Sequence, residues 1–395
     1  MSNTNKRIFL SPPFVGAAER TAVRGAFDSG YVAPCGPQVD EFERRLAKLA
    51  GRKYAVAVSS GTAAIDLLMA ELGVDETWTV VAPTLTFIAT VGPAFHRGAK
   101  LVFVDSDATG NIDVALLEEA LESLRVKLGS SSVELGSSRV GATLRDSKLT
   151  LNDSISTLSD SKILVIGVDL YGNCCDYGAI EKLCRKFDAV FVTDAAEAVG
   201  ATRDGRPAGS AGLAGIYSFN GNKIVTTSGG GAIVTDDRWL ADRARKRAQQ
   251  SREKCVWYEH REVGYNYRLS NILASVGLAQ LDRLPAILKK RKHNFDWYAK
   301  NFNGDLLSPA HGANHWLTVA VLSSRRERDK FLRRFEAANI EARPVWKPLH
   351  LQPVFAKCRV FGGEVAEALF ERGVCLPSGT GLKSCDFARI SACLP

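Results

Sequence analysis

Short apolar runs alternate with amphipathic helical patterns over the first 250 residues of this chain, and that alternation restricts the fold more than any other feature. Strand-like runs occur at Tyr54–Val58, Thr79–Ala82, Leu101–Asp105, Ile163–Val168, Val190–Thr193 and Ala232–Thr235. Helical patterns fill gaps at Ala115–Leu124, Ala179–Phe187 and Arg238–Gln249. Earlier, Val39, Phe42, Leu46 and Leu49 share one helical face and Gly51 ends that helix. Short apolar strands separated by helices predict an α/β layer, with a central mostly parallel sheet flanked by helices.

After Gly264 the texture changes. Long helical patterns span Asn271–Leu284 and Ala286–Asn301, a strand candidate covers Trp316–Leu322, and helices follow around Arg328–Ala338 and Val365–Arg372. A chain of 395 residues exceeds the usual size of a single core. We therefore expect a large α/β domain over residues 1–250 and a smaller α+β domain over 251–395. Between Leu128 and Asp160 the chain turns to Ser, Gly and isolated charges, which predicts an irregular surface insertion at 128–160.

Charge and cysteine usage exclude several classes. The net charge is +8, but the basic residues are not interleaved with stacking aromatics, so a nucleic-acid partner is not expected. The dense runs Arg243–Arg247 and Lys289–Lys292 read as solvated helix faces, or as a field attracting an anionic substrate. Nine scattered cysteines lack metal-ligand spacing. Their odd number, behind a polar amino terminus, predicts reduced thiols, a cytoplasmic protein and no bound metal. No run is long and apolar enough to span a membrane.

Three local patterns carry chemistry. The strand Tyr54–Val58 runs into Ser59-Ser-Gly-Thr-Ala-Ala64 and then a helix with Ile65, Leu68, Met69 and Leu72. Such a turn aims backbone N–H groups and a helix dipole at an anion. The strand Val190–Thr193 ends in Asp194. Lys223 sits on a polar turn, Ser218-Phe-Asn-Gly-Asn-Lys223, followed by Thr226-Thr-Ser-Gly-Gly-Gly231. Pyridoxal phosphate chemistry needs this pair, an amine for a Schiff base and a carboxylate for the pyridine nitrogen. On the motif alone, a surface lysine in a Gly-rich loop stays equally open. A nicotinamide-binding reading fails on order, because Gly229-Gly-Gly231 follows a loop and enters a strand.

The chain resembles the DegT/DnrJ/EryC1/StrS sugar aminotransferases, pyridoxal phosphate enzymes of fold type I. The matching stretches are Ile8-Phe-Leu-Ser-Pro-Pro13, Gly36-Pro37, Ser59–Ala64, Pro83-Thr-Leu-Thr-Phe-Ile-Ala89, Leu170-Tyr-Gly172 and Asp194-Ala-Ala-Glu-Ala-Val-Gly200. They continue through Ser218–Lys223, Gly264-Tyr-Asn-Tyr-Arg268, Ala342-Arg-Pro-Val-Trp-Lys-Pro-Leu-His350 and Cys375-Leu-Pro-Ser-Gly379. Only the Ser-rich insertion and the last dozen residues match poorly. The Ser218–Lys223 loop and the Ser-Pro-Pro opening look closest to the branch that aminates UDP-linked 4-keto-6-deoxy-HexNAc sugars on the way to bacillosamine.

The resemblance implies roles. Lys223 would form the Schiff base and later shuttle a proton, Asp194 would pair with the pyridinium nitrogen, and Glu197 would bond the cofactor's phenolic oxygen. Phe87 would stack on the ring. Backbone N–H groups of Thr62 and Ala63, and the Ser218 hydroxyl, would take the phosphate. Asn266 would reach the phosphate of a neighbouring subunit, implying a homodimer with shared sites. Tyr171, Arg268, Trp346 and His350 would line the sugar site. L-glutamate would load nitrogen onto the cofactor, giving pyridoxamine phosphate, which would aminate the 4-keto carbon of a nucleotide-linked sugar.

The chain departs from the family at Asp169, where relatives often carry His or Asn. A carboxylate there disfavours an anionic donor unless it points away or is protonated. Rival readings are amination at sugar C3 or of a cyclitol ketone, a dehydratase (which would carry His in place of Lys223) and a non-catalytic cofactor-binding sensor.

Overall fold

The computed structural model describes residues 6–131 and 162–395. Most of the insertion expected at 128–160 lies outside the described residues; its first four end a helix, Val114–Ser131. The strands are β1 (Tyr54–Val58), β2 (Thr79–Pro83), β3 (Lys100–Val104), β4 (Ile163–Val168), β5 (Val190–Asp194), β6 (Thr202–Arg203) and β7 (Arg206–Pro207). They continue as β8 (Ala214–Ser218), β9 (Gly231–Thr235), β10 (Asp305–Leu306), β11 (Thr318–Val321), β12 (Arg343–Pro344), β13 (Arg359–Phe361) and β14 (Gly373–Leu376).

Eight strands form one sheet in the order β1-β9-β8-β5-β4-β2-β3-β13. All pairs from β8 to β13 are parallel, and β9 runs against both of its neighbours. The apolar runs explain the layering: every residue of β4, β5, β8 and β9 is buried, so helices must cover both faces. Strand β8 is not among the expected strands, since its last residue, Ser218, reads as part of the turn ahead of Lys223. Strand β13, likewise unexpected, pairs with β3 and returns the carboxyl-terminal part of the chain to the large sheet.

Helix α1 spans Ala17–Asp28, α2 Pro37–Ala50 and α3 Gly61–Glu71. Pro37 opens α2, and Gly51, at φ 63°, closes it in the left-handed conformation glycine tolerates best. The face formed by Val39, Phe42 and Leu46 is fully buried. The two helices expected around Pro285 are instead one, Asn271–Asn301. An interior proline costs about 3 kcal/mol, but Leu281, Leu284 and Ile287 around it are buried, each stabilising by about 1.5–3 kcal/mol. Packing therefore outweighs the broken ladder.

A second sheet, β10-β11-β14-β12, is antiparallel. The apolar clusters do not divide at one point in the chain. Ala274, Leu281 and Leu284 pack with the large sheet, whereas amino-terminal Ile8 packs with Tyr298, Phe335 and Ile390 beside the small one. Among the described residues no helix is long and apolar enough to cross a membrane.

Candidate active site

A cavity of about 710 Å³ opens at the carboxyl ends of the parallel strands, where α/β sheets present their ligand sites. Val168, Asp194 and Ser218 reach it from the ends of β4, β5 and β8, and Thr86 and Phe87 from the loop after β2.

Strand β5 delivers Asp194 as its last residue, 6% exposed. Thr90 Oγ1 donates to Asp194 Oδ2 at 2.7 Å and the Ala196 N–H donates to Oδ1 at 3.1 Å. The Thr86 hydroxyl lies 2.8 Å from that of Thr90. Burial pushes the Asp194 carboxyl above its ordinary range, and the two donors and Lys223 pull it back. A buried carboxylate facing a cavity is suited to a cationic, proton-bearing partner.

Lys223 sits on the turn joining antiparallel β8 and β9. Phe219 N–H donates to Gly230 O at 2.8 Å and Thr227 N–H to Phe219 O at 2.9 Å, which closes the turn. Lys223 Nζ lies 3.2 Å from Glu197 Oε1 and 4.1 Å from the centre of the Trp316 ring. Its side chain is only 13% exposed. Glu197 Oε2 accepts the Tyr171 N–H at 2.7 Å. Burial pushes the Glu197 carboxyl up to about 7 despite the ammonium beside it.

The third wall is the start of α3. Ser60 Oγ caps it, accepting the Ala63 N–H at 3.0 Å. The N–H groups of Gly61 and Thr62 lie in the first turn and have no acceptor within the helix. A side chain at Gly61 would meet Ser218 Cβ at 3.1 Å, so glycine lets the helix terminus sit against the end of β8. Ala63, expected as a phosphate donor, therefore spends its N–H on the cap, and Gly61 and Thr62 present theirs. Phe87 projects into the cavity, 58% exposed, with its ring 5.8 Å from that of Trp346.

Of the residues expected at the site, Thr62, Phe87, Asp194, Glu197, Ser218, Lys223 and Trp346 line this one cavity. Four others do not. Arg268 is buried elsewhere, donating to Glu43 Oε1 at 2.5 Å and to Ala57 O at 3.0 Å. His350 is held between Thr84 Oγ1 at 2.6 Å and Glu367 Oε1 at 3.0 Å, a brace rather than a sugar contact. Tyr171 lies behind the wall, its ring 5.2 Å from Trp346 and its hydroxyl accepting the Trp346 N–H. Asn266 is exposed and borders a different cavity, of about 1610 Å³, together with Arg245 and Trp257.

Asp169 points away from the cavity. It is fully buried, with Oδ2 accepting from Tyr177 Oη at 2.6 Å and Oδ1 from Cys175 N–H at 3.0 Å. Burial pushes its carboxyl up to about 7. The departure at this position therefore puts no carboxylate in the path of an anionic donor.

Sequence reasoning missed Thr90, Trp316, Gly61 and Arg343. Thr86 and Thr90 share a face at i,i+4 spacing, but nothing local ties Thr90 to a carboxylate 104 residues away.

The donor set fits pyridoxal phosphate. Unpaired N–H groups at a helix start and the Ser218 hydroxyl suit a phosphate. An aromatic face, a buried carboxylate and one lysine amine surround the space a ring would occupy.

Comparisons with known proteins agree with this geometry. The DegT/DnrJ/EryC1/StrS aminotransferase family matches residues 13–128 and 151–395. EpsN of Bacillus subtilis strain 168, provisionally named a pyridoxal phosphate-dependent aminotransferase, is 39% identical over 98% of this chain and 94% of its own. A GDP-perosamine synthase from Caulobacter vibrioides is 33% identical over 98% of this chain and 97% of its own. Among solved structures, a DegT DnrJ EryC1 StrS aminotransferase from Brucella abortus superposes with a TM-score of 0.80 at 26% identity, covering 95% of this chain and 94% of that one.

Proposed function

This chain belongs to the DegT/DnrJ/EryC1/StrS aminotransferase family, and from that membership we propose that it moves nitrogen from L-glutamate to the 4-keto carbon of a nucleotide-linked 6-deoxy sugar. It is a pyridoxal phosphate-dependent sugar aminotransferase with the fold type I architecture. The acceptor in this reading is UDP-2-acetamido-4-keto-2,6-dideoxyhexose. The observation that carries the reading is the convergence of Lys223, Asp194, Glu197 and the start of α3 on one cavity. The choice of acceptor rests on the Ser218–Lys223 loop and the Ser11-Pro12-Pro13 opening, which both border that cavity and resemble the corresponding branch of the family.

Pyridoxal phosphate, when bound, supplies an electrophilic aldehyde and an electron-accepting ring, so nitrogen can pass from donor to acceptor in two half-reactions. The chain's own residues do the rest. Thr62 N–H and Ser218 Oγ bind the phosphate, and Phe87 orients the ring from one face. Asp194 holds a proton on the ring nitrogen, and its bond from Thr90 favours the ionised carboxylate against the pull of burial. Glu197 bonds the phenolic oxygen. Lys223 Nζ moves a proton to and from the reacting carbon of each substrate. Arg343, the other cation lining the cavity among the described residues, binds a donor carboxylate.

Asn266 serves the cavity of a second copy in this reading, making the enzyme a homodimer with shared sites. Its exposure, and that of Val256, Trp257, Tyr258 and Val263 nearby, suits a surface covered by a partner. We place the enzyme in the cytoplasm, consistent with nine free thiols.

The test is the visible absorption of the protein with pyridoxal phosphate, before and after L-glutamate, then after the UDP-linked keto sugar. Bleaching by glutamate and recovery with that sugar are expected, and neither in Lys223→Ala. A second reading, favoured by the 33% identity to a GDP-perosamine synthase, takes a GDP-linked keto sugar as acceptor. Recovery with the GDP-linked sugar alone would select it.

A further inference from the structure

Four segments distant in the chain meet in a closed ring of hydrogen bonds beneath the Lys223 turn. Arg291, on the Asn271–Asn301 helix, donates from Nη2 to Ser11 Oγ at 3.0 Å. Ser11 Oγ donates to Asn222 O at 2.7 Å. Trp316 Nε1 donates to the same carbonyl at 2.7 Å. Arg291 Nη1 closes the ring on Trp316 O at 2.9 Å and also reaches Ser378 O at 2.7 Å. Two donors thus occupy both lone pairs of the carbonyl immediately before Lys223.

Arg291 is an unusual choice for this position. It is 2% exposed, and among the described residues no carboxylate pairs with it. Its Nε has no partner. Burial pushes the guanidinium down to about 9, still cationic at neutral pH. Burying a charge without a counter-ion is costly, and a methionine would fill the space without that cost. The Lys223 turn explains the expense. It carries Gly221, Gly229 and Gly230, which leave its backbone many conformations, whereas a reactive amine must be held to a fraction of an ångström.

The geometry points to Arg291 as a positioning residue for the Lys223 amine. Through Ser11 and Trp316 it pins the Asn222 carbonyl, and with it the peptide that starts Lys223. Through the Trp316 backbone it also sets the indole ring that faces Nζ at 4.1 Å, a second holding point for the free ammonium. This inference rests on the reading of Lys223 as the reactive amine.

The experiment measures how fast the visible band forms when excess pyridoxal phosphate is added to apoenzyme, with kcat and KM for the sugar determined in parallel. The variants are Arg291→Met, Ser11→Ala, Trp316→Phe (which keeps a ring but removes the donor) and the Ser11→Ala/Trp316→Phe double. Band formation should slow about tenfold or more in Arg291→Met, with kcat falling and sugar KM unchanged. The double variant should slow as far as Arg291→Met, because both act on one carbonyl. Parental rates in Ser11→Ala, Trp316→Phe and their double, even with a lowered Tm, would overturn the inference. Those three decide the matter if Arg291→Met does not fold. Failure of the underlying reading shows separately, as a band that survives Lys223→Ala.

Discussion

Replacing Thr90 by valine isolates one bond in the site. Thr90 is 1% exposed and valine has nearly its shape, so the substitution removes the donor to Asp194 Oδ2 and little else. Asp194 then keeps a single donor, the Ala196 N–H at 3.1 Å. A hydrogen bond to a charged acceptor is worth about 2 kcal/mol in favour of the charged form. That loss moves the balance between ionised and protonated Asp194 about 30-fold toward the protonated form. The sign follows from the burial that already holds this carboxyl above its ordinary value. Asp194 loses its charge as pH falls, so the variant loses it at a higher pH than the parent. The assay is equilibrium binding of pyridoxal phosphate across the acid and neutral range, followed by absorbance. On the falling limb the variant should bind about 30-fold more weakly than the parent at equal pH. Thr86→Val, one bond further out, should show a smaller displacement. Coincident acid limbs in Thr90→Val and parent would refute the assignment of Asp194 as the group whose charge holds the cofactor.

Asp169→Asn should alter the pH dependence of stability. The Asp169 carboxyl is raised from 3.8 to about 7, so the stability its neutral form contributes is complete below 3.8 and lost as pH rises through about 7. Relative to the variant, the parent's Tm should fall across that window; parallel curves would contradict it. Arg268→Met should cost about 2 kcal/mol in a denaturant titration, by removing one of the two arginines bonded to buried Glu43 while Arg245 stays, and should leave sugar KM unchanged. A raised KM at unchanged stability would return Arg268 to the sugar site. Mixing Asn266→Ala with Lys223→Ala subunits should restore part of the activity through hybrid dimers; no recovery after demonstrated subunit exchange would argue against shared sites.

Strand ends and turns were the legible part of this site. Asp194 terminates an apolar strand, Thr62 follows one, and Ser218 and Lys223 lie on a turn whose glycines and hydroxyls stand out locally. Each such signal spans fewer than ten residues. The illegible part is contact between segments. Thr90 reaches Asp194, and Trp316 reaches Lys223, across gaps that no periodicity encodes. The same limit explains Arg268 and His350, whose residue types suit an anionic sugar but whose partners, Glu43 and Thr84, come from elsewhere in the fold. Pro285 shows it for secondary structure, since local propensity predicts a break that burial on both sides overrides.

The reversed direction of β9 separates what can change from what cannot. Because β8 and β9 are antiparallel neighbours, the Lys223 turn lies in one connection, residues 219–230, locked at both ends by ladder bonds into the sheet. An insertion there would shift Lys223 against Ser218 and α3 together. Trp346 enters the same cavity from the segment after β12, attached to the second sheet and outside that ladder. New acceptor sugars can thus be accommodated by remodelling one side of the cavity while the nitrogen-handling side stays as it is.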